Sequence, residues 1–286
     1  MIVVLGATGR VGSVVVERLL EYGLPVKAVV RNAEKAARLK ERGAVVEIAD
    51  YFNPNALKSA FRGASAAFLL TPENPESEGF LKDTRIILQN YREALEATEI
   101  EMIVGLSSFG AQHPNGTGNL EASYMLEHAF TELEATQVFV RATYYYSNWL
   151  GYLDLARENG ILPTFFPTDM KIQMISPADV GEFIAGVLAG KMEPAPMVEI
   201  VGPESYSAND IAHELGTTFG GSVDAVQIPR NEWLPTLEQA GFSPSGARNL
   251  ALMTDAVLAG KTQAEDEVVF TETTFPEYLR LIENQA

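Results

Sequence analysis

Cysteine is absent from the 286-residue chain, which excludes disulfides, thiol nucleophiles and cysteine-ligated metals or clusters. Histidine is scarce. His113, His128 and His213 lie far apart and match no zinc spacing such as His-Glu-x-x-His, so no metal site is expected. No stretch approaches the ~20 consecutive apolar residues of a membrane span. The opening MIVVL lacks the basic flank and small-residue cleavage site of a signal peptide. The expectation is a cytoplasmic chain without membrane attachment. Positive charge is also short: Lys plus Arg number 21 against 38 Asp plus Glu, a net charge of −17. The basic residues form no run, so a phosphate backbone would be repelled and direct nucleic-acid binding is not expected.

Short apolar runs alternate with longer amphipathic ones through the first half of the chain. MIVVL, VKAVVR, AVVEIAD, AAFLLT, MIVGLSS and QVFVRA read as strands buried on both faces, and the intervening segments read as crossover helices. Expected helices run to Tyr22, from Pro54 to Phe61, near Glu78 to Thr98 and near Leu120 to Ala135. This alternation predicts an α/β chain with a Rossmann-like, doubly wound parallel sheet. After Arg141 the rhythm changes and Pro and Gly become denser. Residues 1–143 are therefore read as a nucleotide-binding domain and 144–286 as a smaller substrate lobe. The segment at about 170–190 is expected to pack back on the first domain.

The motif Gly6-x-x-Gly9-x-x-Gly12 follows a strand and opens a helix. Gly6 and Gly9 permit a tight turn and close approach of backbone to a pyrophosphate, and Gly12 permits close helix–strand packing. The helix N-terminus, with Arg10, Val11 and the Thr8 hydroxyl, supplies donors to the phosphates. A chain that binds NAD often has Asp or Glu at the end of the second strand, ~20 residues on. This chain has Arg31, with Lys35 one turn further. A guanidinium suits a 2′-phosphate, which predicts NADPH over NADH. The alternative for Arg31 is an exposed charge paired with Glu34 or Glu47. Asp50 suits the adenine amino group, or else caps a turn before Pro54. Leu70 and Thr71 end the fourth strand where a ribose would run. Ser107 and Ser108 end the fifth at the carboxyl edge, Ser107 expected on the cofactor and Ser108 on the substrate.

The segment RATYYYSNW places Tyr144, Tyr145, Asn148 and Trp149 near the mouth of the expected cleft. Rings there suit a stacking wall for a flat ligand and Asn148 suits an orienting contact, with Phe165 and Phe166 on the opposite side. The competing reading is that these rings form the core of the second lobe.

VLGATGRVG, AVVRN, IADYFNPNAL, AFRGASAAFLLTP, IVGLSSFG, FVRATYYYSNW and ISPADVGEFIA together resemble the NmrA-like group of atypical short-chain dehydrogenases/reductases, in particular its quinone- and dye-reducing branch. The resemblance implies NADPH in the glycine loop and a small aromatic or quinone-like substrate between the lobes. It also exposes a departure. Typical short-chain dehydrogenases use Tyr-x-x-x-Lys as a proton relay, and none of the 10 tyrosines here has Lys four residues on. The corresponding places fall on Asn119 and Ser123, and the nearest substitute, Tyr124 with His128, reads as packing or surface. No residue is assigned to catalysis. Reduction of an aliphatic ketone needs an acid to quench the alkoxide. A quinone gives a phenolate-type anion, with a pKa near ~10, and a cationic dye gives no oxyanion. Loss of the relay therefore points to an NADPH-dependent oxidoreductase acting on flat electrophilic acceptors. The alternative is an NADP(H)-sensing regulatory protein that acts through a protein partner. A sugar epimerase, which needs the relay, is the least supported.

Overall fold

The computed structural model describes residues 1–32, 36–192 and 195–283. From the N-terminus run β1 (Ile2–Val4), α1 (Arg10–Glu21), β2 (Val26–Val30), α2 (Ala37–Glu41), β3 (Val45–Ile48), α3 (Pro54–Phe61), β4 (Ala66–Leu70), α4 (Phe80–Leu95), β5 (Met102–Ser108), α5 (Leu120–His128) and β6 (Thr136–Ala142). There follow β7 (Tyr144–Tyr145), α6 (Leu153–Asn159), β8 (Ile161–Thr164), β9 (Ile172–Ile175), α7 (Pro177–Leu188), β10 (Met197–Val201), β11 (Ser205–Tyr206) and α8 (Ala208–Phe219). The chain closes with β12 (Asp224–Gln227), α9 (Trp233–Gln239), α10 (Pro244–Leu258), β13 (Val268–Phe270) and α11 (Phe275–Glu283).

The main sheet has the order β13-β10-β6-β5-β4-β1-β2-β3, and every pair in it is parallel. The chain steps outward from β1 through β2 and β3, then returns to β4 on the other side. This reversal makes a topological switch point between β1 and β4, the feature of a doubly wound Rossmann-type fold. Both faces of the sheet are covered. Val4, Ala28, Val30, Phe68 and Val104 pack under α1 and α7. Val3, Leu5, Val29, Leu69 and Ile103, alternate residues of the same strands, pack under α3, α4 and α5. That alternation is the two-residue period of a strand, and it explains why the strands read as unbroken apolar runs.

Local signals set several boundaries. Asn53 caps α3, its side-chain oxygen accepting from the Asn55 and Ala56 amides, with Pro54 in the first turn. Ser176 caps α7 in the same way ahead of Pro177. Gly181 lets α7 sit directly on α1, since a Cβ there would lie 2.7 Å from Val14 Cβ and 2.9 Å from the Val11 carbonyl oxygen. Helix α5 ends at His128 rather than near Ala135. The Gln137 amide donates to the Phe130 and Leu133 carbonyls at 2.6 and 3.3 Å, tying residues 130–135 into turns that lead directly to β6. Among the described residues no helix is long and apolar enough to cross a membrane.

Beyond residue 143 the chain does more than build a separate lobe. Strands β10 and β13 extend the main sheet past β6, while β7, β9 and β11 form a small second sheet and β8 pairs with β12. Tyr146, Trp149, Leu162, Ile211, Leu215 and Phe275 are among the residues of a third core. Where β10 joins, Ser107, Arg141 and Glu199 fall in one cross-strand row. Arg141 is buried there with a fork-to-fork pair to Glu127 of α5, both contacts 2.9 Å. It also reaches Glu199 at 3.4 Å and Glu265 at 2.7 Å.

Candidate functional site

The switch point places the end of β1 beside the end of β4, with Val4 opposite Phe68. The glycine turn leaves β1 here. Gly6 has φ +60°, a left-handed conformation open to glycine at no steric cost, and a Cβ there would meet Leu70 Cδ2 at 2.5 Å. The Gly9 amide closes the turn on the Gly6 carbonyl at 2.8 Å. A Cβ on Gly12 would lie 2.2 Å from the Gly6 carbonyl oxygen, so α1 starts in contact with the turn itself. Gly9 is the N-cap of α1, no side chain caps that end, and its first turn carries no acidic residue. Uncapped amides at a helix N-terminus, beside backbone stripped of Cβ atoms, fit the diphosphate of a dinucleotide. Thr8 and Arg10 are exposed at this edge and Val11 is buried beneath it.

The neighbouring strand ends complete the crevice. Arg31, directly after β2, is exposed, and among the described residues it makes no ion pair. Glu47, one expected partner, instead accepts from the Ser59 hydroxyl at 3.1 Å. Glu34 and Lys35 lie outside the described residues. Asp50 is exposed and one carboxylate oxygen accepts from the Phe52 amide at 3.0 Å, so it forms a turn. Tyr51, which drew no attention in the sequence, is the residue that locks the turn. Its hydroxyl accepts from the Gly6 amide at 2.8 Å, and its carbonyl accepts from the Asn90 side chain at 2.9 Å. Burial pushes the Tyr51 hydroxyl above its ordinary value, against the Gly6 hydrogen bond and the Arg31 charge. Arg31 thus lies near enough to act on a hydroxyl at the glycine turn. Burial likewise raises Tyr278 of α11, with the Arg10 charge opposing it, which puts Arg10 beside that helix.

Leu70 and Thr71 line the β4 edge and are partly buried. The two serines of β5 part company, because successive strand residues face opposite sides. Ser107 is buried under α5 and donates to Glu127 Oε1 at 2.5 Å, so its hydroxyl serves the buried ion network rather than the crevice. Ser108 stays partly exposed at the edge, with its hydroxyl on the Phe109 carbonyl at 3.1 Å.

The same alternation sorts the aromatic segment. Tyr144 packs against the third core, with Phe166 edge-on at 5.8 Å and Trp149 at 6.1 Å between ring centroids. Trp149 is 2% exposed and its indole N–H points to Met174 Sδ at 3.4 Å. It is a core residue, where a substrate wall was expected. Burial raises the Tyr144 hydroxyl, the Tyr152 hydroxyl adds to this, and a hydrogen bond with exposed Asn148 opposes it. Phe165 packs edge-on against Trp233 at 5.5 Å. Tyr145 faces the other way, toward the first core. Burial raises its hydroxyl, and so does the charge of Glu73, a residue in the β4–α4 loop that the sequence reading passed over. On α5, Tyr124 and His128 stack on each other at 4.1 Å, and the ring Nδ1 of His128 lies 2.8 Å from the Tyr124 carbonyl oxygen.

Helix α10 roofs the carboxyl edge. A Cβ on Gly246 would lie 2.3 Å from the Pro75 carbonyl oxygen, and one on Gly118 would lie 2.0 Å from that of Asn249. The helix therefore rests on the β4–α4 and β5–α5 loops. Near its C-terminal end is a cavity of about 310 Å³, lined by Phe109, Thr143, Met170, Ile172, Phe270 and others. That volume lies at the small end of ligand pockets. Near its N-terminal end is a recess of about 80 Å³ that holds Glu73 and Asn119.

This architecture recurs in known proteins. The NADPH-dependent quinone oxidoreductase of Escherichia coli, solved with NADPH, aligns with a TM-score of 0.80 at 23% identity over 99% of this chain and 100% of that one. The Citrobacter triphenylmethane reductase, solved with NADP(H), aligns with a TM-score of 0.80 at 21% identity over 98% and 99%. An NAD(P)H azoreductase from Xenophilus azovorans is 27% identical over 258 residues, 90% of this chain and 85% of that protein. The sequence model of the NmrA-like family matches residues 1–279, and the chain belongs to that family.

Proposed function

We propose that the protein is an NADPH-dependent oxidoreductase that delivers hydride to a flat electrophilic acceptor such as a quinone or a dye. The observation that carries this reading is the crevice at the switch point. Three glycines without Cβ atoms and an uncapped helix end stand next to an arginine with no ion-pair partner among the described residues. The relatives named quinone oxidoreductase, triphenylmethane reductase and azoreductase support it. The amides of Arg10, Val11 and Gly12 would hold the diphosphate, with Thr8 adding a donor. Arg31 would hold the 2′-phosphate, Asp50 the adenine amino group, and Leu70 and Thr71 would flank the ribose. Bound there, the nicotinamide supplies the hydride. The chain's own part is to orient the acceptor against Tyr145 and Ser108 and to keep water from the reacting face.

The discriminating experiment replaces Arg31 with Asp. Charge-assisted contacts to a phosphate contribute about 1.5–3 kcal/mol, so the affinity for NADPH is expected to fall by roughly 10- to 100-fold. The affinity for NADH should stay within about threefold. Calorimetric titration of both coenzymes checks this, and equal losses for the two would refute the assignment of Arg31. Following nicotinamide absorbance with a panel of quinones and dyes tests turnover. Tight NADPH binding without oxidation by any acceptor would move the chain to the regulatory reading.

A further inference from the structure

A quinone that accepts hydride becomes an anion, and a proton must reach its oxygen for the hydroquinone to form. At the places of the missing relay, Asn119 has only amide protons and Ser123 only a hydroxyl, and the rings of Tyr124 and His128 stack on each other.

The β4–α4 loop carries an acid near the carboxyl edge of the sheet. Glu73 lies three residues beyond Leu70, whose side chain abuts the glycine turn, so it is at most about 11 Å along the chain from that edge. It shares its recess with Asn74, Phe80, Asn119, Phe242 and Gly246. None of those five carries a charge, and the charge of Glu73 is near enough to act on the Tyr145 hydroxyl of β7. Glu73 is exposed as a residue, and partial burial of its carboxyl pushes it above the ordinary value. Its loop is held rigidly. The Ser243 amide donates to the Pro75 carbonyl at 3.0 Å, the Ser243 hydroxyl to the Ser77 carbonyl at 2.8 Å, and the Ser77 hydroxyl to Asp83 at 2.6 Å. These contacts anchor the stretch of loop that follows Glu73 against α10 and α4.

We infer that Glu73 is the proton donor of the cleft, giving a proton to the acceptor oxygen as hydride arrives at the acceptor. The inference rests on the reductase reading. In the balanced step, the C4–H bond of NADPH breaks and its hydride forms one O–H bond on the quinone, which leaves NADP⁺ and the hydroquinone monoanion. The carboxylic O–H bond of Glu73 breaks as its proton forms the second O–H bond, at the other oxygen, and the carboxylate recovers its proton from solvent. An acceptor such as a cationic triphenylmethane dye, which takes hydride at carbon and makes no oxyanion, does not draw on this proton.

The test compares wild type, Glu73→Gln and Glu73→Asp with NADPH and two acceptors, a neutral benzoquinone and a cationic triphenylmethane dye. General acids contribute about 10²- to 10⁴-fold. We expect kcat for the quinone to fall at least about tenfold relative to kcat for the dye in Glu73→Gln, with partial recovery in Glu73→Asp. Wild-type quinone turnover should decline as pH rises through the Glu73 titration, because the protonated form is the active one, and Glu73→Gln should lose that limb. A readout independent of turnover is the pH titration of the glutamate carboxyl carbons by NMR in the coenzyme-free chain. One resonance should titrate above the ordinary glutamate range and vanish in Glu73→Gln. Wild-type activity with an unchanged quinone-to-dye ratio in the variant would overturn the proton donor alone. Wild-type failure to oxidise NADPH with either acceptor would overturn the reductase reading and the donor with it.

Discussion

Replacing Arg141 with methionine is expected to cost about 3–5 kcal/mol of folding stability, the penalty for leaving a buried charge without its partner. The Arg141 side chain is 7% exposed, and those of Glu127 and Glu199 are 3% and 2% exposed. Removing one guanidinium thus strands two desolvated carboxylates. Glu199 keeps the Glu265 and Asp266 amides at 2.8 and 3.2 Å, and Glu127 keeps the Ser107 hydroxyl. The exposed Glu265 contributes little to the penalty, because water solvates it when the pair breaks. Lysine at this position should rescue only partly, since an ammonium does not reproduce the two-pronged contact with Glu127. The double variant Arg141→Met with Glu127→Gln should recover at least about 1 kcal/mol, because the glutamine is neutral and still accepts from Ser107. Urea denaturation of the four proteins checks the series. A single-variant loss below about 1 kcal/mol would mean that Arg141 does not neutralise the row.

Gly12→Ala is expected to abolish measurable NADPH binding, a loss of at least about 100-fold, equivalent to ~2.7 kcal/mol, and to destabilise the fold by about 1–3 kcal/mol. The added Cβ would stand 2.2 Å from the Gly6 carbonyl oxygen and 2.7 Å from its carbon. Both are backbone atoms in the turn itself, so no side chain can rotate away. Relief requires α1 to move off the turn, which separates the helix amides from the glycine cradle. Gly9→Ala should be milder. Its Cβ would meet the same oxygen at 3.2 Å, and its φ of −83° is open to alanine. Gly23→Ala is a control for backbone strain. Its φ is +74° and a Cβ meets nothing within 4 Å, so it should cost about 1 kcal/mol of stability and leave coenzyme affinity unaltered. Calorimetric titration with NADPH and thermal unfolding separate the three. Wild-type affinity in Gly12→Ala would show that the helix start is not part of the phosphate cradle.

Features carried by neighbouring residues were legible in the chain alone. The strand-and-helix alternation, the Pro54–Phe61 helix and the glycine spacing after β1 all depend on residues a few positions apart. Hydrophobic periodicity, caps and turn chemistry act over that range. Arg31 was legible as a strand-end cation for the same reason. Side-chain direction at strand ends was harder to read. Ser107 and Ser108, like Tyr144 and Tyr145, face opposite ways, and which of each pair enters the crevice depends on where the neighbouring layers lie.

Only the tertiary structure decided the rest. It brought Tyr51 onto the Gly6 amide across 45 residues, and Glu199 and Glu265 onto Arg141 across 58 and 124. It added β10 and β13 to the main sheet, buried Trp149 in the third core and brought the charge of Glu73 within range of the Tyr145 hydroxyl. The physical reason is that a side chain's pattern within its own element records which face is buried, whereas its partner is chosen by the packing of distant elements, which leaves no local trace.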